Sequence, residues 1–182
     1  MRELPENIKT NRLTLRPYSE KFITARYLNW LNDPKIMRFS EQRHKVHTYE
    51  SCRAYLQTFQ ESTNTLWAIE EKLHGHGHIG NISAYIDLNN KIADIGILIG
   101  ESYAQGQGYG YEAFKGVVEY LFKYTPTRKI TAGTVSANIA MIEIMHKMKM
   151  KDDGVRRRHY LIDGNEVDVI YMALFKDDKM GQ

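Results

Sequence analysis

The chain has a single cysteine, Cys52, so no intrachain disulfide can form, and the residue reads as helix packing in a reducing compartment. Long apolar runs are missing too: none approaches the roughly 18 residues of a membrane-spanning helix. The opening Met1-Arg2-Glu3-Leu4-Pro5-Glu6 lacks the apolar region of a signal peptide, so the expected location is cytoplasmic, with no membrane partner. An excess of one charge is also lacking. Lys and Arg number 25 against 22 Asp and Glu, a net charge of +3, which is too mild to argue for a nucleic-acid partner. There is no internal repeat, low-complexity tract or linker. A length of 182 residues with 42% hydrophobic composition suits a single soluble domain over residues 1–182.

What is present is organised around Gln105-Gly106-Gln107-Gly108-Tyr109-Gly110. A strand-like run, Ala93 to Ile99, precedes it, and an amphipathic run, Tyr111 to Phe122, follows it. Strand, glycine turn and helix in that order place free backbone N–H groups at the positive end of a helix dipole, which suits a phosphate. Glycine lets the backbone approach a bulky anion with no Cβ in the way. No Gly-Lys-Ser/Thr follows, which excludes a P-loop, and the alternate spacing of Gly106, Gly108 and Gly110 excludes the dinucleotide fingerprint. An ordinary strand-to-helix loop explains a bare alternation of glycines equally well.

The rest of the chain supplies context. Arg12 to Pro17 reads as a first strand at a sheet edge, because proline ends it. Ser19 reads as an N-cap for a helix carrying Phe22, Ile23, Tyr27, Leu28 and Leu31, broken at Asp33-Pro34. Thr48 and Ser51 precede a second helix with Tyr55, Leu56 and Phe59. Strands are expected at Leu66–Ile69, Ile79–Ile86, Lys91–Ile99 and Lys129–Val135, and a helix at Ile139–Met148. A last pair, Arg156–Ile162 and Val167–Phe175, flanks the hairpin signal Asp163-Gly164-Asn165. His74, His76 and His78 alternate and could share a strand face around a metal, but no acidic or cysteine ligand adjoins them, so no metal is assigned.

The order β-α-α-β-β-β-α-β-α-β-β and the turn together resemble the GNAT acyltransferases, in particular the RimJ/RimL-type branch. Gln105, Gly108 and Gly110 fill the Gln/Arg-x-x-Gly-x-Gly/Ala positions, and Asn11 to Pro17 resembles the T-x-R-L-x-L-R-P opening of that branch. The tail from Gly154 to Val169 is similar to its ending. The resemblance implies a mixed α/β fold with a mostly antiparallel sheet of about seven strands and four flanking helices. It implies acetyl-CoA as cosubstrate, its pyrophosphate on Gln105, Gly106, Gln107, Gly108, Tyr109 and Gly110, and its pantetheine arm against Asn138 and the backbone of Ile97, Leu98 and Ile99. The sheet is expected to splay there, with a backbone N–H stabilising the oxyanion. One departure stands out: where many members carry a tyrosine that protonates the leaving thiolate, this chain has Met145, so the general acid is unassigned.

The implied chemistry is acetyl transfer to a primary amine, which must lose a proton before attack. Asp94 is the candidate base, and a polar residue bonded to a neighbouring loop is the alternative. Met37 to His47 gathers Arg38, Arg43, His44, Lys45 and His47 against the single acid Glu41, with Trp30, Phe39 and Tyr49 nearby. A solvated loop explains that cluster as readily as a pocket wall for a small anionic acceptor such as a nucleotide-linked amino sugar. Two other functions are consistent with the chain: RimL-like protein N-terminal acetylation, and a CoA-binding module without turnover. A homodimer is left open.

Overall fold

Near-continuous buried runs such as Thr65–Ile69 and Ile79–Ala84 place both faces of the central strands in a core, and helices cover each face. The computed structural model describes residues 6–75 and 77–177. The strands are β1 (Ile8–Lys9), β2 (Leu13–Pro17), β3 (Thr65–Glu71), β4 (Gly77–Asp87), β5 (Ile92–Ile99), β6 (Lys129–Val135), β7 (Lys151–Ile162) and β8 (Asn165–Phe175). The helices are α1 (Ala25–Asn32), α2 (Tyr49–Gln60), α3 (Tyr109–Tyr124) and α4 (Ile139–Lys147). The strands form one 8-stranded sheet in the order β1-β2-β3-β4-β5-β6-β8-β7. Every neighbouring pair is antiparallel except β5–β6.

One face packs on α3 and α4 through Trp67, Ile82, Ile95, Phe114, Val117 and Met145. The other packs on α1 and α2 through Tyr27, Trp30, Leu56, Phe59 and Leu66. The expected mixed α/β sheet with four helices is therefore found, with one strand more than expected. The extra strand is β1, whose two residues are too few to show any alternation. It pairs Ile8 with Leu15 and Lys9 with Thr14, so β2 is not the edge that Pro17 suggested. Pro17 lies beyond the reach of β1, and its missing N–H costs that ladder nothing.

The helix starts also differ in detail. Ser19 begins only a 3₁₀ turn, Glu20–Phe22, and makes no side-chain cap bond. The cap of α1 is Thr24, whose hydroxyl accepts from the Tyr27 N–H at 3.3 Å. Thr48 and Ser51 form a reciprocal capping box on α2, which fixes where the α1–α2 loop ends. The last hairpin turns through Asp163 and Gly164, both at positive φ (51° and 79°), the conformation that suits a two-residue turn between twisted strands.

The feature that positions the site is the parallel pair. β5 and β6 share only the register positions Ile92–Lys129, Ala93–Ile130 and Asp94–Thr131. β5 then runs on to Ile99 against β4, and β6 to Val135 against β8, without pairing to each other. The sheet therefore opens into a V just beyond Asp94, where the family resemblance expects it.

Candidate active site

The glycine turn closes directly into α3. Gly108 is the N-cap residue, with φ +80° and ψ 1°, and no side chain caps the helix. The N–H groups of its first turn have no intrahelical acceptor and are left for a ligand. Gly106 also sits at positive φ (72°), and a Cβ there would meet nothing within 4 Å. Gly110 is close-packed: a Cβ would lie 3.1 Å from Ile144 Cδ1. The Gln105 side chain donates to the Ile99 carbonyl at 3.1 Å and ties the turn to the end of β5.

Arg12 braces the turn from outside. It donates to the Gln107 carbonyl at 3.0 Å, pairs with Glu112 at 2.7 Å and lies over the Tyr109 ring at 4.3 Å. Glu112 also accepts from the Thr10 hydroxyl at 2.6 Å and the Arg12 N–H at 2.7 Å. Burial raises the Glu112 carboxyl, but these bonds outweigh it and hold the carboxyl below its usual range.

A cavity of about 390 Å³ runs along the open side of the V. Ile97, Leu98, Ile99, Gln105, Gly106, Gly108, Gly110 and Asn138 all line it. Gln107 and Tyr109 do not: Arg12 occupies the Gln107 carbonyl, and Tyr109 is buried. Lys35 and Lys147 also border the cleft and bring positive charge that the sequence reading missed. Asn138 caps α4 by accepting from the Met141 N–H at 3.4 Å and donates to Thr134 Oγ1 at 3.0 Å. Free N–H groups at a helix start, a sheet gap and two lysines, with the acid Glu143 beside them, suit an extended, pyrophosphate-bearing ligand.

On the opposite face a second cavity, of about 490 Å³, lies between the sheet and the α1–α2 loop. Tyr27, Tyr55 and Tyr85 form its aromatic walls, Asn81 and Ser83 its polar floor, and Lys45 and His47 its rim. The Tyr55 and Tyr85 hydroxyls are 2.9 Å apart. Asn81 Oδ1 also accepts from His78 Nε2 at 2.7 Å. The lining residues include no Asp or Glu. Ser40, Ile97 and Leu98 line both cavities, so the two meet beside β5.

The structure places the expected acceptor residues apart from one another. Arg43 is consumed by the protein: it pairs with Glu41 at 2.5 Å and donates to the Ser40 and Leu161 carbonyls at 3.0 and 3.1 Å. Arg38 pairs with Asp163 at 2.7 Å, and neither arginine lines the cavity. His44 is likewise outside the wall, and of the expected basic cluster Lys45 and His47 line it, the His47 ring 3.2 Å from the Gln42 carbonyl. Trp30 is a core residue, 5% exposed, edge-on to Tyr27 and His78. It covers Gly100, where a Cβ would fall 2.0 Å from its ring. Gly100→Ala is therefore expected to destabilise the fold by about 1–3 kcal/mol through overpacking, read as a lower denaturant midpoint.

Asp94 lies at the apex of the V. It accepts from the Thr131 hydroxyl at 2.5 Å and stands opposite Tyr85 in the β4–β5 register. Burial of the carboxyl raises its pKa, and the Thr131 bond opposes this in part. The residue as a whole remains exposed, and it sits two positions from Gly96, which lines the second cavity. Met145 is fully buried and offers no proton. His74 and His78 do not share a strand face: His74 lies in the turn beside Glu71 and His78 is half-buried among aromatic rings, while His76 is outside the described residues. Burial holds His78 below the usual histidine range.

Comparison with known proteins gives this geometry a family. YnaD, an uncharacterised N-acetyltransferase of Bacillus subtilis strain 168, is 27% identical over 94% of this chain and 98% of its own length. The solved structure of RimL, a ribosomal L7/L12 alpha-N-protein acetyltransferase in complex with coenzyme A, superposes with a TM-score of 0.80 at 21% identity, covering 93% of this chain and 98% of its own. Spermidine N-acetyltransferase from Vibrio cholerae, in complex with CoA and spermine, gives 0.82 at 18% identity over 94% and 99%. The family model described as Acetyltransferase (GNAT) domain matches residues 12–151, from the first long strand to the start of β7. On that match the chain belongs to the GNAT acetyltransferases, the acetyl-CoA-dependent N-acetyltransferases.

Proposed function

We propose that the protein transfers the acetyl group of acetyl-CoA to the amine of a small acceptor that carries negative charge and a flat aromatic or sugar face. A nucleotide-linked amino sugar has that chemistry. The carrying observation is the wall of the second cavity: three tyrosines, Lys45 and His47, and no carboxylate. Tyrosine faces suit a base or sugar, and a lysine ammonium suits phosphate. A polyamine or a protonated peptide N-terminus would enter a wall that itself holds no carboxylate, with only the proposed base Asp94, outside that wall, to meet its charge. CoA would lie in the first cavity, with its pyrophosphate on the turn from Gln105 to Gly110 and its arm along Ile97 to Ile99. Asp94, at the apex of the V and two residues from Gly96 on the second cavity's wall, would take the amine proton.

Free-thiol release from acetyl-CoA tests the acceptor class. A nucleotide-linked amino sugar, spermidine and a ribosomal-protein N-terminal peptide are compared at equal concentration. Turnover of the sugar nucleotide alone is expected. Turnover of the peptide alone would transfer the assignment to protein N-terminal acetylation, the activity in RimL's name. Lys45→Ala is expected to raise the acceptor KM by about 10-fold or more, because a charge-assisted hydrogen bond contributes about 1.5–3 kcal/mol. The KM for acetyl-CoA should be unchanged.

A further inference from the structure

The family reaction needs a proton on the departing sulfur, and the helix position that often supplies it is filled here by buried Met145. A replacement must reach both reactants. Three residues border both cavities: Ser40, Ile97 and Leu98. Of these, only Ser40 has a side chain with an exchangeable proton. We propose that Ser40 relays a proton from the attacking nitrogen to the CoA sulfur as the tetrahedral intermediate collapses. The inference rests on the acetyl-transfer reading, and it holds for any amine acceptor.

The local structure holds that hydroxyl in place. The Ser40 N–H donates to the Met37 carbonyl at 2.9 Å, and the Ser40 carbonyl accepts the Arg43 N–H at 3.1 Å and its guanidinium at 3.0 Å. Arg43 in turn reaches the Leu161 carbonyl near the β7–β8 turn at 3.1 Å, so the loop is anchored at both ends. The Ser40 Oγ accepts one bond, from the Gln42 N–H at 3.2 Å. A hydroxyl has two acceptor lone pairs and one donor. After the Gln42 bond it keeps one lone pair to accept a proton and one O–H to give, which are the two roles a relay needs.

The step balances within the reactants. The amine attacks the thioester carbon, forming the C–N bond and leaving a positive N–H on nitrogen and a negative oxygen. As the oxyanion re-forms the carbonyl, the C–S bond breaks and its electron pair goes to sulfur. The Ser40 O–H passes its proton to sulfur while the oxygen takes one from nitrogen. No alkoxide is built up, so the high basicity of a serine alkoxide is no obstacle. Arg43, which the sequence suggested as an acceptor ligand, then acts as a positioning residue through Ser40.

Three substitutions separate relay from structure. Ser40→Thr keeps both the cap and the relay, and its chemistry-limited kcat should stay within about threefold of wild type. Ser40→Asn keeps an N-cap acceptor for Gln42 but cannot relay, and Ser40→Ala has neither. Both should lower kcat by about 10-fold or more, while thermal unfolding of the Asn variant stays at the wild-type midpoint. A second measurement needs no acceptor: the ultraviolet absorbance of the thiolate in bound CoA, followed against pH. Loss of the hydroxyl donor in Ser40→Ala should raise the bound thiol's pKa by about one unit, a tenfold change in thiolate ratio. A wild-type rate in Ser40→Asn, or a bound thiol that titrates identically in wild type and Ser40→Ala, overturns the proposal. Failure of every acceptor in the panel would leave the thiol titration readable, so the two readings fail separately.

Discussion

Asp94→Asn is expected to lower kcat by about 10²-fold at neutral pH with CoA affinity unchanged, the size typical of a lost general base. The residue stands where the sheet parts, its carboxyl raised by burial and partly restrained by Thr131. A raised carboxyl is a better base than one of ordinary pKa near ~3.9. The wild-type kcat/KM should therefore fall at acid pH through a limb above that range, and the variant should lack the limb. Stability should move the other way. Because the folded-state pKa is above the unfolded one, this group's favourable contribution is complete below the ordinary carboxylate range and is lost as pH rises through the raised value. Asn removes that cost while still accepting from Thr131, so the variant should be at least as stable as wild type at neutral pH. A rate within about twofold of wild type, with chemistry still limiting, would assign proton removal elsewhere.

Gly108→Val should weaken CoA binding by about 10-fold or more, measured by calorimetry. Two effects combine. Gly108 has φ +80°, a region that costs a residue with a Cβ about 1–2 kcal/mol and a β-branched one more. A Cβ there also lies 3.4 Å from Arg12 Nη2, so the side chain would press on the brace that holds the turn. Gly106→Ala separates them: it bears similar backbone strain at φ +72° with nothing within 4 Å to collide with. A folded Gly108→Val protein with wild-type CoA affinity would show that the pyrophosphate does not sit on this turn.

Much of this was visible in the sequence because the signals were local. Short apolar runs between turn signals located β3 to β8, Asp163-Gly164-Asn165 marked the last hairpin, and the glycine spacing named the helix start. Gly108 also shows the limit of that reading. Its left-handed backbone lets α3 begin at Tyr109, two residues ahead of the amphipathic run that announced it. β1 escaped detection because two residues have no period.

The acceptor side was less legible, since it depends on pairing between distant segments. Arg43 looks like an available cation in its own stretch of chain. Its fate is decided by Leu161, 118 residues away. Tyr55 and Tyr85 come from a helix and a strand, and nothing in either stretch reveals that their hydroxyls meet. Ser40 lacked any motif; its significance comes only from the two cavities that converge on it.

The short β5–β6 pairing also governs how the molecule responds to its cosubstrate. Three register positions join β1 to β5 on one side with β6, β8 and β7 on the other. A pantetheine arm bound in the gap would act as a missing thread between two flaps, hydrogen-bonding to both. Free of it, the seam is held by those three positions alone; with ligand at about 100 times its Kd, the fold gains about 2.7 kcal/mol. The cell's acetyl-CoA supply would then set how long the protein survives as well as how fast it works.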